Sequence, residues 1–296
     1  MQLELKEINK SFGEKHVLKG VSFIAESGKA FGLLGRNGAG KTTAIRILMD
    51  VFPADSGQIL VDGKPINYKE VEFGYLPEER GLYPKKVIVD QLAYFAELKG
   101  MSRKEAIKSV DYWLERLGMS EYRGKRLDTL SKGNQQKIQL ITTLAHDPEI
   151  IILDEPFSGL DPVNAMLLKE VVKEQIKKDK IVLFSSHQMS YVEEFCDSIA
   201  ILNAGRVAIT GDLYDIKRNY LRDRLVVNTT NPEPIMADFA SACSKGENGS
   251  LIIKMCDPAE KQSVMKRLVE NYDIDELKVF EPSLNDIFVE YAGEQI

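Results

Sequence analysis

The stretch "KAFGLLGRNGAGKTT", residues 29–43, joins an apolar run to a glycine-rich turn and then to the start of a helix. The apolar run lacks the alternation of a half-exposed strand, so it predicts a strand that is buried on both faces. Gly35 to Thr43 fits the pattern G-x-x-x-x-G-K-[ST], and the strand before it and the helix after it are the context that this pattern requires. The stretch therefore predicts a phosphate-binding loop in an α/β protein with a mainly parallel sheet.

The residues of this loop can share the work of holding a nucleoside triphosphate. Its glycines let backbone N–H groups curl around the phosphates, while Lys41 reaches the β- and γ-phosphates. The hydroxyl of Thr42 is placed to bind Mg²⁺. We therefore expect ATP with Mg²⁺ as the ligand, and we assign ATP binding here to Gly35, Asn37, Gly38, Gly40, Lys41, Thr42 and Thr43.

A second apolar run, "EIIILDEP" at residues 149–156, ends on two acidic residues. In open α/β sheets ligands bind at the carboxyl ends of the strands, which is where Asp154 and Glu155 would project. Asp154 suits the shell of Mg²⁺, and Glu155 points elsewhere and can polarise an attacking water as a general base. With the phosphate loop, these residues leave a kinase, a GTPase and a general ATPase as open alternatives.

Three further motifs follow in chain order. "LSKGNQQKIQL" at 130–140 predicts a helix whose polar, glycine-bearing start suits an anion, with Ile138, Ile141 and Leu144 on its apolar face. "SGLD" at 158–161 and "SSH", which ends at His187, come later. This series resembles the ATP-binding cassette (ABC) ATPases from residue 1 to about residue 220. The resemblance implies a P-loop cassette with a mainly parallel core, an N-terminal antiparallel β subdomain and a helical signature subdomain at about 78–146.

The family's head-to-tail dimer gives the helix start at residue 131 a purpose. In that arrangement, the signature motif of each cassette covers the ATP on the phosphate loop of its partner. The resemblance thus implies that the residues acting in trans are Ser131, Lys132, Gly133 and Asn134, and that Asp161 couples the two sites. It also implies that Phe12 stacks on the adenine, and that His187 contacts the γ-phosphate and holds the attacking water with Glu155.

The sequence departs from the family pattern at three positions. Glu78, in "GYLPEERGLYP", stands where the family's Q-loop carries glutamine, and its carboxylate would bind Mg²⁺ directly or through water. The resemblance places "RGLYP" at 80–84 against the membrane subunit. Lys132 and Asn134 replace the glycine and glutamine of the signature, and the charge of Lys132 would partly offset that of Glu78. Because no catalytic position is lost, we expect an active ATPase.

The pattern of strands and helices restarts after about Arg224 and predicts a small βαβαβα unit, with a helix over "PIMADFASACS" at 234–244. We therefore expect an ATP-binding domain at 1–224 and an accessory α/β domain at 225–296. The ending "EPSLNDIFVEYAG", together with "YLPEERGLY", resembles the bacterial sodium-efflux type of ABC exporter ATPases. A structural or dimer-stabilising role for this domain is favoured over a ligand sensor.

The amino-acid composition limits the classes of binding partner that we expect for this chain. The 296 residues carry a formal net charge of −6, so no basic field points to nucleic acid. The three cysteines form no CxxC pair, which favours reduced thiols. No apolar run approaches the roughly 20 residues that span a bilayer, so we expect another chain to cross the membrane.

We therefore predict the ATP-hydrolysing subunit of an exporter at the cytoplasmic face of the membrane, with transmembrane permease subunits and a second cassette as its partners. A soluble ABC ATPase that acts on ribosomes or DNA is the alternative. Against it stand the single cassette, the short gap between phosphate loop and signature, and the lack of a basic bias. A P-loop kinase would have no use for "LSKGN" and "SGLD" together.

Overall fold

The structure, a computed structural model, describes residues 1–79, 81–157, 160–220, 223–246 and 249–293. Ser158 and Gly159 of "SGLD" and Arg80 of "RGLYP" lie outside the described residues. The described chain divides into two compact units, residues 1–213 with 288–293 and residues 214–287. No helix among the described residues is both long and apolar enough to cross a bilayer.

The strands are β1 Gln2–Phe12, β2 Lys15–Glu26, β3 Ala30–Gly35, β4 Ser56–Val61, β5 Lys64–Pro65, β6 Phe73–Leu76, β7 Ile150–Asp154, β8 Ile181–Ser186, β9 Ser198–Asn203, β10 Arg206–Asp212, β11 Arg224–Asn228, β12 Cys243–Lys245, β13 Leu251–Lys254 and β14 Glu276–Val279. The α-helices are α1 Lys41–Leu48, α2 Ile88–Leu98, α3 Arg103–Arg116, α4 Lys132–Leu144, α5 Pro162–Lys177, α6 Met189–Phe195, α7 Leu213–Asn219, α8 Glu233–Phe239, α9 Lys261–Asn271 and α10 Leu284–Gly293.

The first sheet is antiparallel, in the order β2-β1-β4-β5. Leu3 and Leu5 of β1 and Val21 of β2 alternate with more exposed residues and are buried in the core, as the period-two pattern predicts. The turn between β4 and β5 is Asp62–Gly63, and both residues have a positive φ, 49° and 75°. Such a turn matches the twist of a two-residue hairpin.

The central sheet has the order β10-β9-β3-β8-β7-β6 and is parallel except for β10. Every residue of β3, β7 and β8 is buried, in agreement with their unbroken apolar runs. Because these strands are parallel, their carboxyl ends lie at one edge of the sheet. That edge carries the phosphate loop after β3, Asp154 at the end of β7 and His187 after β8. The expected fold, a mainly parallel core with an antiparallel β subdomain, is confirmed.

Helices α2, α3 and α4 pack against one another, and α4 also packs on β6. The approach of α4 to β6 depends on Gly74. A Cβ atom added at Gly74 would lie 2.4 Å from the backbone oxygen of Thr143 and 2.7 Å from Cγ of Pro148. Glycine at this position therefore lets the helix that follows the signature residues contact the strand that leads to Glu78.

The unit at 214–287 contains the antiparallel sheet β12-β13-β11-β14. Its apolar core includes Leu225, Val227, Ile235, Leu251 and Leu268. The helix predicted over 234–244 is wrong in its second half, because α8 ends at Phe239 and Cys243 pairs with Ile253 of β13. Ala240 breaks the helix with a φ of 21°, and β12 follows three residues later.

The close approach at Gly74 gives a stability prediction. Gly74→Ala should lower the free energy of unfolding by about 1–3 kcal/mol, because the new methyl group meets fixed backbone and a proline ring. Gly124→Ala is the matched control, since no atom lies within 4 Å of a Cβ at that position. Urea unfolding of both variants measures the difference, and equal stabilities would show that α4 does not press on β6 as described.

Candidate active site

A cavity of about 530 Å³ opens at the carboxyl edge of the central sheet. It gathers side chains from the first sheet, the phosphate loop and the ends of β6, β7 and β8. Its lining consists of Phe12, Lys15, Val17, Arg36, Asn37, Gly38, Gly40, Lys41, Thr42, Thr43, Glu78, Asp154, Glu155 and His187. The structure thus brings together most of the residues that the sequence assigned to ATP, to the metal and to hydrolysis, with Gly35 at the end of β3 below the loop.

At position 40 of the phosphate loop, the backbone conformation and the surrounding space admit only glycine. This residue has a φ of 112°, and a Cβ there would lie 2.6 Å from Cδ2 of Leu18. The ammonium group of Lys41 donates to the backbone oxygens of Gly35 and Arg36, at 2.6 and 3.4 Å. Burial lowers the pKa of Lys41, and the negative charges of Glu155, Asp154 and Glu78 oppose that shift. The loop therefore holds a buried, desolvated cation, which the phosphates of a bound nucleotide would stabilise.

The two carboxylates at the end of β7 have different partners. Asp154 accepts hydrogen bonds from the hydroxyl of Ser185 on Oδ1 and from the hydroxyl of Tyr75 on Oδ2, the latter at 3.2 Å. The backbone of Glu155 turns away with a φ of 50°, in the left-handed region that non-glycine residues rarely occupy. Such strain at a site is tolerated when the surroundings fix the residue, which is the case here.

The carboxylate of Glu155 lies 2.7 Å from Nδ1 of His187 and accepts a hydrogen bond from the hydroxyl of Ser186 at 3.2 Å. Glu155 is buried, whereas 56% of the His187 side chain is exposed. The imidazole therefore joins a buried carboxylate to the open cavity. When Nδ1 carries the proton and donates to Glu155, Nε2 is an acceptor.

Phe12 is no buried strand residue, because 48% of it is exposed. Its ring contacts Phe52 edge to face, with 5.4 Å between the centroids. The ammonium group of Lys10 lies 5.6 Å from the centroid of each ring. Phe12 thus offers a supported, partly open aromatic face at the cavity, which is the surface that a base needs for stacking.

The predicted signature residues lie apart from this cavity. Ser131 caps α4, and its hydroxyl accepts a hydrogen bond from the backbone N–H of Asn134 at 3.4 Å. Asp161 caps α5 in the same way, and this hydrogen bond from the N–H of Asn164 holds the pKa of Asp161 below its usual value. Among the described residues that line the cavity, none belongs to 131–134, and Asp161 is also absent. One chain therefore has two separate places that suit a phosphate.

Some residues at the site were given no role in the sequence analysis. Lys15 and Arg36 line the cavity, and Tyr75, Ser185 and Ser186 hold the two carboxylates. The serines had a signal, because two hydroxyls at the end of a buried strand need partners. Tyr75 had none, since its contact depends on the pairing of β6 with β7.

Thr42, Asp154 and Glu78 offer possible metal ligands to the cavity, namely the oxygen atoms of one hydroxyl and two carboxylates. Mg²⁺ prefers such hard ligands and is commonly bound by one or two carboxylates together with substrate phosphates. These residues therefore fit Mg²⁺ that arrives with a nucleotide. Together with the phosphate loop, the buried cation and the carboxylate–imidazole pair, they define a P-loop nucleoside triphosphatase.

Comparison with known proteins places the chain within this class. The sequence profile "ABC transporter" matches residues 18–158, and the profile "ATP-binding protein DrrA1-3-like, C-terminal domain" matches residues 211–292. The chain is 40% identical over 293 residues to "Uncharacterized ABC transporter ATP-binding protein YhaQ" of Bacillus subtilis (strain 168), which covers 98% of both chains. It is 35% identical to "Linearmycin resistance ATP-binding protein LnrL" of the same organism, over 72% of this chain and 70% of the relative.

A solved structure described as "Structure of ATP binding subunit of ABC transporter" has 31% identity and a TM-score of 0.68, and covers 74% of this chain and 93% of its own. The chain belongs to the ABC transporter ATP-binding proteins. It is a transport ATPase, which binds nucleotide and hydrolyses ATP to power transport. Subunits of this family dimerise and work with transmembrane permease components. The expected family and enzyme class are confirmed.

The hydroxyl of Tyr75 gives a prediction about the site. Tyr75→Phe should lower kcat by about tenfold and raise the Mg²⁺ concentration needed for half-maximal activity, because Asp154 loses a hydrogen bond to its charged carboxylate. Tyr68→Phe is the matched control, since the hydroxyl of Tyr68 donates to the backbone oxygen of Ile47, at 3.5 Å, and Tyr68 is not among the described residues that line the cavity. Steady-state ATPase assays across a Mg²⁺ series compare the two, and equal kinetics would remove Tyr75 from any role at Asp154.

Proposed function

We propose that this chain is the ATPase subunit of an exporter and that it hydrolyses Mg²⁺-ATP between two cassettes arranged head to tail. The observation that carries the proposal is the separation of two phosphate-facing places in one chain. One is the cavity with Lys41 and Glu155, and the other is the capped start of α4 at Ser131. A second cassette would bring the start of its α4 to this cavity and so complete each site.

In the proposed site, Lys41 binds the β- and γ-phosphates, and backbone N–H groups of the loop from Gly35 to Gly40 hold the remaining oxygens. Phe12 stacks on the adenine, and Thr42 and Thr43 lie at the start of α1 beside the phosphates. Thr42, Asp154 and Glu78 hold Mg²⁺, which when bound neutralises negative charge on the phosphates.

Glu155 is the proposed general base. Its carboxylate is held by Ser186 and His187 and accepts a proton from the water that attacks the γ-phosphate. His187 donates to that carboxylate through Nδ1, and its exposed Nε2 lies against the γ-phosphate, where it accepts a hydrogen bond from the attacking water. Two contacts fix the base before the nucleotide arrives, so little reorganisation is required in the transition state.

The start of α4 is the proposed part of the partner's site. There the hydroxyl of Ser131, the N–H groups around Gly133 and Asn134, and the positive end of the helix would stabilise the partner's γ-phosphate. Lys132 adds a positive charge at the same place. Asp161, at the start of α5, would couple the two sites across the dimer.

Two further assignments complete the proposal. Residues 1–224 form the ATP-binding domain, and residues 225–296 form an accessory domain that stabilises the assembly. The segment at 80–84 contacts a permease subunit, which would hold the chain at the cytoplasmic face of the membrane.

The relative named for linearmycin resistance supports export as the direction of transport, because resistance is readily achieved by removing a compound from the cell.

Substitution of Glu155, the proposed base, should separate ATP binding from ATP hydrolysis. Glu155→Gln should leave ATP affinity within about threefold and lower kcat at least about a hundredfold, because an amide cannot accept the proton. Lys41→Ala should instead abolish binding, since the phosphates lose their principal cation. Equilibrium ATP binding and ATPase assays on both variants test this, and near-normal turnover by Glu155→Gln would exclude it as the base.

A mixture of two inactive variants tests the head-to-tail arrangement. Ser131→Arg should bind ATP normally on its own phosphate loop yet hydrolyse it poorly, because the bulky charge blocks the partner's site. In a dimer with Glu155→Gln, one site keeps both Glu155 and Ser131, and the other site has both defects. Random pairing should restore about a quarter of the wild-type activity if the sites act independently.

The control for this mixture is each variant alone at the same total concentration. If the start of α4 served its own chain's cavity, every site in the mixture would retain one defect. The absence of recovery, although mixed dimers form in a pull-down, would contradict independent trans sites.

A further inference from the structure

Helix α4 carries a stripe of polar side chains in the turns that follow the signature residues. Gln136, Gln139 and Thr143 are spaced by three and four residues and therefore share one face of the helix. Gln139 and Thr143 are buried. Each of the three donates to a backbone oxygen on another segment: Gln136 to Pro156, Gln139 to Pro77 and Glu79, and Thr143 to Tyr75.

Gln139 is distinctive because its two acceptors flank a residue of the cavity. Nε2 of Gln139 lies 3.2 Å from the backbone oxygen of Pro77 and 3.0 Å from that of Glu79. The residue between them is Glu78, whose side chain is exposed and lines the nucleotide cavity. β6 ends at Leu76, so Glu78 lies in the turn that follows the strand. One buried amide thus ties both ends of this short turn to α4.

The geometry restricts the backbone of Glu78 from both sides. Two hydrogen bonds to one nitrogen fix the separation of the Pro77 and Glu79 carbonyl groups, and the burial of Gln139 leaves little room for water to replace them. The peptide groups on either side of Glu78 are therefore oriented, and with them the direction in which its carboxylate leaves the backbone.

We propose that Gln139 is a positioning residue that holds Glu78 toward the Mg²⁺ of bound nucleotide. This inference rests on the proposed function, since it takes Glu78 as a metal-binding residue. Gln139 itself is buried and is not among the described residues that line the nucleotide cavity. Because the same helix begins at the signature residues, the position of Glu78 follows the position of α4.

The test measures binding and not turnover. The affinity for a non-hydrolysable ATP analogue is measured with Mg²⁺ and with EDTA, at protein concentrations at which light scattering shows a monomer. The ratio of the two affinities reports how well the site uses the metal. Gln139→Ala and Gln139→Met should each lower this ratio by about three- to tenfold, with the metal-free affinity unchanged. Gln139→Met keeps about the length of the side chain and removes the carboxamide, and with it the donor.

Gln91→Met is the matched control, because Gln91 is likewise buried and donates to the backbone oxygen of Lys86, and it is not among the described residues that line the nucleotide cavity. It should leave the ratio at the wild-type value. Glu78→Ala should lower the ratio at least as much as Gln139→Met, and the double variant should resemble Glu78→Ala alone. This non-additivity is the result that a general loss of stability would not produce.

Three results would overturn the inference. If Glu78→Ala lowers the ratio and both Gln139 variants leave it unchanged, Gln139 does not position Glu78, and the proposed function stands. If the effect of Gln139→Met persists in full in the Glu78→Ala background, Gln139 acts on another group. If Glu78→Ala itself leaves the ratio unchanged, the metal role of Glu78 in the proposed function falls together with the inference.

Discussion

The site depends on the register of three parallel strands. Leu34 of β3 pairs with Ser186 of β8, and Asp154 of β7 pairs with Ser185. This register ends the three strands at the same level, so the phosphate loop, the two carboxylates and His187 emerge side by side. The strands are buried on both faces, and a slip by one residue would move polar groups into an apolar layer. The core that stabilises the fold therefore also fixes the distances within the site.

Helix α4 connects the two parts of the chain that we propose act on ATP. Its start carries Ser131, which we propose acts at a partner's site. Its polar face holds the backbone around Glu78 and the carbonyl group of Pro156, next to Glu155. Gly74 permits this close packing, since any side chain there would push α4 away from β6. A helix with such contacts is a physical route by which a nucleotide bound in one site can change the position of residues at the other site.

Local patterns were sufficient to predict the residues that lie within a motif. The glycine-rich turn after an apolar strand predicted a loop that the structure places in the lining of the cavity, and the acidic pair at the end of "IIILDEP" predicted two of the carboxylates there. The exposed ring of Phe12 could be assigned only through the family resemblance, because nothing in "KSFGE" distinguishes it from a core phenylalanine. The packing of Phe52 and Lys10 explains why it remains accessible.

Contacts between segments distant in sequence could not be predicted in this way. Tyr75 reads as one more apolar residue of a strand, and its bond to Asp154 follows only from the placement of β6 beside β7. Gln139 reads as a polar break in an apolar helix face, and its role depends on where the turn after β6 lies. The sequence analysis did not predict β12, because its three residues follow a helix-compatible segment. They are extended in the structure because they pair with β13. In each case tertiary contacts decide the role or the conformation.

The central claim, that one chain supplies halves of two sites, is tested most directly by the specific ATPase activity of the wild-type chain over a wide range of protein concentration. The oligomeric state in Mg²⁺-ATP is measured on the same samples by sedimentation. Specific activity should rise with concentration in parallel with the dimer fraction and become constant once the dimer is saturated. Full specific activity in samples that remain monomeric at every concentration would contradict the account.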